Sequence, residues 1–162
     1  MNDTPREPFG ILFLFTANSA RSILSEYALN DLAGPGAAVR AYSAGSHPKP
    51  APNPIALALL AREGIDTRGA RSKGWEEFAA PGAPRIDLVL TVCDAAAGES
   101  CPLYPGSPVK AHWGVPDPHT EADFAEAYRV LRGRCERLLA LRPETLAREA
   151  LAAAAAQLGR PA

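Results

Sequence analysis

Short apolar runs and helical patterns of apolar residues alternate along the chain. Residues 10–15, GILFLF, are apolar on both faces, which is typical of a central strand in a parallel sheet covered by helices. Residues 18–33 then carry apolar side chains at helical spacing, and Gly34 with Pro35 ends that pattern. The chain therefore starts with a strand followed by a helix.

The alternation continues toward the C-terminus. Three further strands are predicted, at residues 37–45, 85–92 and 108–113. Helical segments are predicted at residues 54–64, as a short turn at 75–78, at 121–141, and from about 144 to 159 after a break at Pro143. This order predicts an α/β fold with three layers, in which a four-stranded parallel sheet has helices on both faces. We expect one domain over residues 1–162, with the alanine-rich helix from about 144 at its C-terminal end.

The composition and net charge give no support for a nucleic acid or a membrane surface as a partner. The 162 residues are 47% hydrophobic and 22% charged, with a formal net charge of −1. A nearly balanced charge gives no reason to expect a nucleic acid or an acidic membrane surface as a partner. The longest apolar run near the N-terminus is too short to span a bilayer, and it lacks the features of a signal peptide. The sequence therefore predicts a cytoplasmic protein.

The segment after the first strand, residues 15–22, combines small polar residues with an arginine. In a doubly wound sheet, ligands bind in the crevice at the carboxyl ends of the strands. The N-terminus of a following helix favours an anion there, and the planar guanidinium of Arg21 matches two oxygens of a phosphate-like group. An ordinary strand-to-helix turn, capped by Ser19 or Ser22, explains the local pattern equally well.

Longer stretches of the chain resemble a known family. FTANSARS at 15–22 is similar to the phosphate-binding loop of the low-molecular-weight protein tyrosine phosphatase fold, and in particular to that of the arsenate reductases, Cys-Thr-x-Asn-Ser-x-Arg-Ser. It matches at every fixed position except the first. YSAG, RSKGWEEF, LTVCDAAAGESCPLYPG and AHWGVPDP resemble arsenate reductase segments in the right order. The resemblance covers about Ile11 to Leu141.

The resemblance implies roles for individual residues. Phe15 stands at the nucleophile position, Cys93 and Cys101 match the two cysteines that relay oxidation, and Asp117 matches the general acid. The residues implied in oxyanion binding are Thr16, Ala17, Asn18, Ser19, Ala20, Arg21 and Ser22. The implied partners are arsenate or a phosphate-like oxyanion and, if the chain is active, a thioredoxin-type reductant.

Phe15 conflicts with the implied activity. The family nucleophile is a thiolate, and a phenyl ring has no lone pair to donate. The ring either occupies the space of the anion or turns into the packing of the sheet. In both cases we expect weaker oxyanion binding, and the loss of a covalent nucleophile typically costs several powers of ten in rate.

Cys93 and Cys101 are separated by a small, glycine-containing segment that allows a disulfide. Two small buried cysteines are the alternative, which the polar residues of this segment disfavour. Zinc would need closer spacing and more ligands, so no metal and no cofactor are predicted. Some thioredoxin-coupled relatives bind potassium beside the loop, and Asn18, Glu26 and Ser43 match that pattern. The nearby cations Arg71 and Lys73 argue against a potassium ion in this chain.

Three functional hypotheses remain. The first is an arsenate reductase-family protein whose reduction of arsenate to arsenite is impaired or abolished by Phe15. The second is a non-catalytic module that senses an oxyanion, arsenite or redox state through Arg21 and the pair Cys93/Cys101. A protein tyrosine phosphatase is disfavoured, because Phe15 removes its nucleophile and because a simple phosphatase does not need the two cysteines.

Overall fold

The computed structural model describes residues 8–91 and 108–160. Its strands are β1 (Phe9–Leu14), β2 (Val39–Ala44), β3 (Leu88–Thr91) and β4 (Val109–His112). Its α-helices are α1 (Arg21–Ala33), α2 (Pro54–Arg62), α3 (Glu121–Ala140) and α4 (Arg148–Leu158). Two short 3₁₀ helices lie at Trp75–Phe78 and Pro143–Thr145.

The four strands form one parallel sheet in the order β2-β1-β3-β4. Leu14, at the end of β1, is in register with Ala44 of β2 and Thr91 of β3. Because all strands run in the same direction, their carboxyl ends share one edge of the sheet. The segments that follow β1, β2 and β4 therefore leave the sheet on the same side.

The side chains of β1 alternate between two hydrophobic cores. Ile11 and Phe13 point to the face covered by α1, α3 and α4, where Leu131 and Leu151 pack against them. The opposite face, with Leu12 and Leu14, packs against Phe78 of the first 3₁₀ helix. A third cluster lies between α1, α2 and α3. The three-layer α/β fold predicted from the sequence is confirmed.

Helices α2 and α3 begin where local side chains bond their first N–H groups. Thr120 and Asp123 form a reciprocal capping box at the start of α3. At the start of α2, the Asn53 side chain accepts a hydrogen bond from the N–H of Ile55, and Pro54 occupies the first helical position. Asn, Thr and Pro at these places are signals that can be recognised in the sequence.

The C-terminal helix starts later than predicted. The break at Pro143 is present, but residues 143–145 form a 3₁₀ turn and α4 begins at Arg148. Arg142 adopts a left-handed φ of 52°, and Leu146 has extended backbone angles, so the chain changes direction twice before the helix starts. Alanine content alone did not reveal this turn.

Helix α4 is attached to the edge strand of the sheet. The indole Nε1 of the fully buried Trp113 donates to the carbonyl oxygen of Ala155 at 2.8 Å. Leu151 and Ala155 join the same core as Ile11 and Phe13. The alanine-rich segment is therefore part of the helical layer on this face. No described helix combines the length and apolar character that a membrane span requires.

Candidate functional site

The segment between β1 and α1 lies at the centre of the sheet edge where the strands end. It begins at Phe15, whose N–H donates to the carbonyl of Ala44 at 3.0 Å and so continues the ladder between β1 and β2 by one residue. Residues 15–20 form a largely buried loop, and Arg21 is the first residue of α1. The predicted oxyanion-binding residues thus all belong to one turn that leads into a helix N-terminus.

The carbonyl groups in the middle of this loop are bonded to the surrounding chain. The carbonyl oxygens of residues 16–19 accept hydrogen bonds of 2.6–2.9 Å. Their donors are the backbone N–H groups of His47, Lys49 and Asn53 and the hydroxyl of Ser72. In a trans peptide the next residue's N–H points away from the carbonyl. The N–H groups of residues 17–20 are therefore directed to the opposite side of the loop.

Those N–H groups are the candidate anion donors of the loop. None of the N–H groups of residues 17–20 donates to another described group, although Asn18, Ser19 and Ala20 are buried. Buried backbone N–H groups are nearly always paired, so a row of unpaired ones indicates the place of a ligand. Consecutive N–H groups at a helix N-terminus attract an anion.

Asn18 maintains the shape of the loop. Its φ of 45° is left-handed, a conformation that asparagine tolerates better than most residues. Its side-chain amide donates to the Ser22 hydroxyl at 2.9 Å, and its side-chain oxygen accepts from the N–H of Lys73 at 2.8 Å. The turn is thus fixed to α1 on one side and to the segment before the first 3₁₀ helix on the other.

Gly45 lets the loop approach the end of β2. A Cβ atom at this position would lie 2.5 Å from the carbonyl oxygen of Thr16 and 2.6 Å from that of Phe15. Both contacts are with backbone atoms, so the loop would have to move to accept any side chain. The glycine of the YSAG segment is therefore a steric requirement of this loop.

Phe15 packs inward and lies against the arginine of the loop. Its side chain is 8% exposed and belongs to the same core as Ile11 and Phe13. The guanidinium carbon of Arg21 lies 4.1 Å from the centre of the Phe15 ring, within the range of a cation–π interaction. Of the two orientations expected from the sequence, the ring takes the one that packs with the sheet, and it also covers one face of the guanidinium.

Arg21 connects the loop to the segment after β4. Its Nη1 donates to the carbonyl oxygen of Val115 at 2.7 Å, and its Nη2 lies 3.3 Å from Oδ1 of Asp117. Arg21 and residues 114–117 line a pocket of about 420 Å³. The structure therefore brings Phe15, Arg21 and Asp117 together, although the sequence separates Asp117 from the loop by nearly one hundred residues.

Asp117 is the accessible member of this group. Its side chain is 61% exposed, whereas that of Arg21 is 7% exposed. The imidazole of the exposed His119 lies 3.9 Å from the Asp117 carboxylate. Asp117 thus lines the pocket and is open to solvent.

A largely buried cluster of Glu26, Ser43 and Lys73 lies beside the loop, and the backbone of Lys73 is bonded to Asn18. The Lys73 ammonium lies 3.7 Å from Oε1 of Glu26, 3.4 Å from the Ser43 hydroxyl and 3.2 Å from the Arg71 carbonyl. The Ser43 hydroxyl donates to Glu26 at 2.5 Å. Burial raises the pKa of Glu26 and lowers the pKa of Lys73, while each charge partly offsets the shift of the other.

These oxygens do not fit a potassium ion. The chain's own ammonium group already contacts two of the oxygens that would serve as ligands, and a second cation in the same place would be repelled. Among the described residues there is also no group of three His, Cys, Asp or Glu side chains placed to hold a metal ion.

Arg134 is a buried residue next to the pocket that the sequence analysis did not single out. It lies on the buried side of α3, is 6% exposed, and its Nη1 donates to the carbonyl of Gly114 at 3.2 Å. Gly114 and Val115, which Arg21 contacts, are neighbours in the wall of the pocket. The available signal was an arginine between Leu131 and Leu138 on the apolar side of a helical pattern.

The cysteines fall into two groups. Cys93 and Cys101 lie outside the described residues. Cys135, on α3, is fully buried in the hydrophobic core, and this burial raises its pKa to about 12. The sequence predicted this role of a buried hydrophobic residue.

Comparisons with known proteins identify relatives over most of the chain. The family model for low molecular weight phosphotyrosine protein phosphatase matches residues 10–152. An arsenate reductase of Staphylococcus xylosus is 32% identical over 120 residues, which cover 74% of this chain and 86% of that protein.

Solved structures show the same fold. A thioredoxin-dependent arsenate reductase of Corynebacterium glutamicum is similar with a TM-score of 0.69 and 24% identity, over 88% of this chain and 66% of that chain. An arsenate reductase in its phosphate-binding state has a TM-score of 0.58 and 27% identity, over 82% of this chain and 97% of that chain. The chain thus belongs to the low molecular weight phosphotyrosine protein phosphatase family, and arsenate reductases are among its relatives there.

Proposed function

We propose that this chain is an arsenate reductase-type protein that binds a tetrahedral oxyanion but lacks the step that makes reduction possible. The observation that carries the proposal is the placement of Phe15. Its ring packs into the core and against Arg21 at the position where the family has its nucleophile. The loop thus keeps the groups that bind the anion but lacks the group that would react with it.

Several features support oxyanion binding. The N–H groups of residues 17–20 stand on the side of the loop away from its bonded carbonyls and have no described acceptor. They precede α1, whose dipole adds partial positive charge. Arg21 borders the adjacent pocket. A dianion such as arsenate or phosphate satisfies these donors, and the related arsenate reductase in a phosphate-binding state is consistent with this ligand class.

The chemical obstacle is the first bond of the reaction. In the reductases that this chain resembles, a thiolate gives an electron pair to arsenic and an oxygen leaves as hydroxide or water. Phe15 has no electron pair to give. The nearby hydroxyls of Thr16 and Ser19 are weak nucleophiles compared with a thiolate, and Cys135 is a buried thiol with a pKa of about 12. We therefore expect arsenate reduction at background level.

The other catalytic roles follow from the same resemblance to arsenate reductases. To Asp117, which lies 3.3 Å from Arg21 and lines the pocket, we assign the protonation of a leaving oxygen. Cys93 and Cys101 would release arsenite and close a disulfide, and a thioredoxin-type reductant would reopen it. These steps depend on a covalent arsenic adduct that the unmodified chain does not form.

The second hypothesis, a non-catalytic binding module, is favoured by one observation. The row of N–H donors and their supporting bonds to Ser72 and Lys73 persists although the nucleophile is absent. In this case oxyanion binding itself is the function, and no turnover follows it. Calorimetric titration with arsenate tests this hypothesis separately from catalysis.

The catalytic proposal is tested by arsenate reduction coupled to thioredoxin, thioredoxin reductase and NADPH. We compare the unmodified chain with Phe15→Cys, and with Phe15→Ser as a control that also shortens the side chain but supplies only a weak nucleophile. We expect background rates for the chain and for Phe15→Ser, and a gain of several powers of ten for Phe15→Cys. Turnover by the unmodified chain at the rate of Phe15→Cys would refute the proposal.

A further inference from the structure

Arg134 is a buried charge without a matching carboxylate among the described residues. Its side chain is 6% exposed, yet its single described hydrogen bond is to the carbonyl of Gly114. Arg21, the other buried guanidinium, has both a carbonyl and the carboxylate of Asp117. A buried cation normally requires an anionic partner, because a neutral carbonyl offsets only part of the lost hydration.

The location of Arg134 indicates where that partner belongs. Arg134 and Arg21 donate to the carbonyls of adjacent residues, Gly114 and Val115, which are both part of the pocket wall. Adjacent residues are separated by about 3.8 Å and each hydrogen bond adds about 3 Å, so the two guanidinium groups lie on the order of 10 Å apart or closer. They approach the same segment from α3 and from α1.

We propose that Arg134 is a second cation of the oxyanion pocket, whose missing counter-ion is the bound dianion itself. This inference rests on the oxyanion binding proposed above and assigns a function to a residue outside the loop. Arg134 acts through its charge and through its hold on Gly114, and it need not touch the anion. Its positive charge increases the affinity for the anion. When the pocket is empty, that charge has no anion to balance it.

The surroundings of Arg134 support this interpretation. Burial and, to a smaller extent, the neighbouring Arg137 lower the pKa of Arg134, so the ligand-free protein disfavours this charge. A residue kept only for stability at this apolar position of α3 would be an aliphatic side chain, as Leu131 and Leu138 are. A charge that destabilises the empty state and attracts the ligand is a known pattern of binding sites.

The test compares Arg134→Met with Arg134→Lys, and uses Arg137→Met as the control. Arg137 lies on the same helix and loses the same charge, but it is exposed and has no contact with residues 114–117 among its described bonds. Inorganic phosphate is the probe, its affinity is measured by calorimetry in low salt, and melting temperatures are measured without any oxyanion.

We expect Arg134→Met to bind phosphate about tenfold more weakly, which is the order of loss expected when one charge about 10 Å from a dianion is removed. Arg134→Lys retains the charge and should stay within about threefold of the unmodified chain, as should Arg137→Met. Without oxyanion, Arg134→Met should melt at the same or a higher temperature.

Three results would overturn the inference. The first is a lower melting temperature of oxyanion-free Arg134→Met, which would make Arg134 a structural tie to Gly114. The second is equal phosphate affinity of Arg134→Met and the unmodified chain, or equal losses in Arg134→Met and Arg134→Lys. The third is the absence of phosphate binding by the unmodified chain. The third result would also refute the proposed oxyanion binding, whereas the first two leave that proposal standing. None of the three results bears on the arsenate turnover assay, which tests the claim about Phe15 by itself.

Discussion

Asn18 and Lys73 illustrate how single residues hold the loop in its binding shape. Asn18 has a left-handed φ of 45°, and its side-chain oxygen accepts from the N–H of Lys73. The ammonium of the same lysine pairs with Glu26 below the loop. One residue therefore contributes its backbone to the turn and its side chain to the charge cluster, and a change at Lys73 affects both.

We predict that Lys73→Met lowers the free energy of unfolding by about 3 kcal/mol at pH 7.5, because Glu26 is left buried without its cation. The folded-state pKa of Glu26 is already raised above 4.5 and should rise further in this variant. The folded state then binds more protons than the unfolded state, so stability is intact below pH 4.5 and falls as pH rises through the folded-state pKa.

Urea denaturation at pH 4.5 and pH 7.5 measures this effect. Lys110→Met, at an exposed position of β4, is the control and should stay within about 0.5 kcal/mol of the unmodified chain at both values. A deficit of Lys73→Met that does not change with pH would show that Glu26 is not its cause.

At the scale of elements, the position of α4 depends on a close contact with β4. Gly159 follows α4, and a Cβ atom there would lie 2.1 Å from the carbonyl oxygen of His112 and 2.8 Å from Trp113. The same region carries the hydrogen bond from Trp113 to Ala155. The end of the helix and the end of the strand are therefore fitted together without space for a side chain.

Gly159→Ala should destabilise the protein by about 1–3 kcal/mol, since the contact is with backbone and α4 must shift from β4 to relieve it. Gly69→Ala is the matched control, because nothing lies within 4 Å of a Cβ atom at that position. Chemical denaturation followed by tryptophan fluorescence compares the two variants. Equal stabilities would mean that α4 adjusts to the methyl group without cost.

At the scale of the whole molecule, the described thiol lies in the common core of the sheet and three helices. Cys135 is 0% exposed and packs with residues from β1, α1 and α4. Burial raises its pKa to about 12, so its thiolate is scarce at neutral pH. No local opening of a single turn would expose it, because it is covered from several elements.

Cys135 should therefore react with a thiol reagent only when the whole domain unfolds. In a Cys93→Ser/Cys101→Ser variant at pH 8, we expect one thiol to react immediately in urea and to react in buffer at the rate of global unfolding. Hydrogen exchange of the core amides supplies the independent measure of that rate. Rapid labelling of folded protein would show that α3 opens locally.

Much of the fold can be predicted from local patterns in the sequence. The strands, the four helices and the parallel α/β sheet follow from apolar patterning and from Gly and Pro at element ends, which act over a few residues. The loop at 15–22 could be located because strand ends and helix starts have local signals. The late start of α4 at Arg148 could not, because it depends on the left-handed backbone of Arg142.

The sequence by itself determined the family and located the loop at residues 15–22, because these depend on residue identity and short spacing. Only the tertiary structure decided that the Phe15 ring lies under Arg21, that Asp117 reaches this arginine, and that Arg134 donates to Gly114 in the pocket wall. The last two contacts join residues that are far apart along the chain. Such contacts are set by how helices pack on a sheet, and no local pattern contains them.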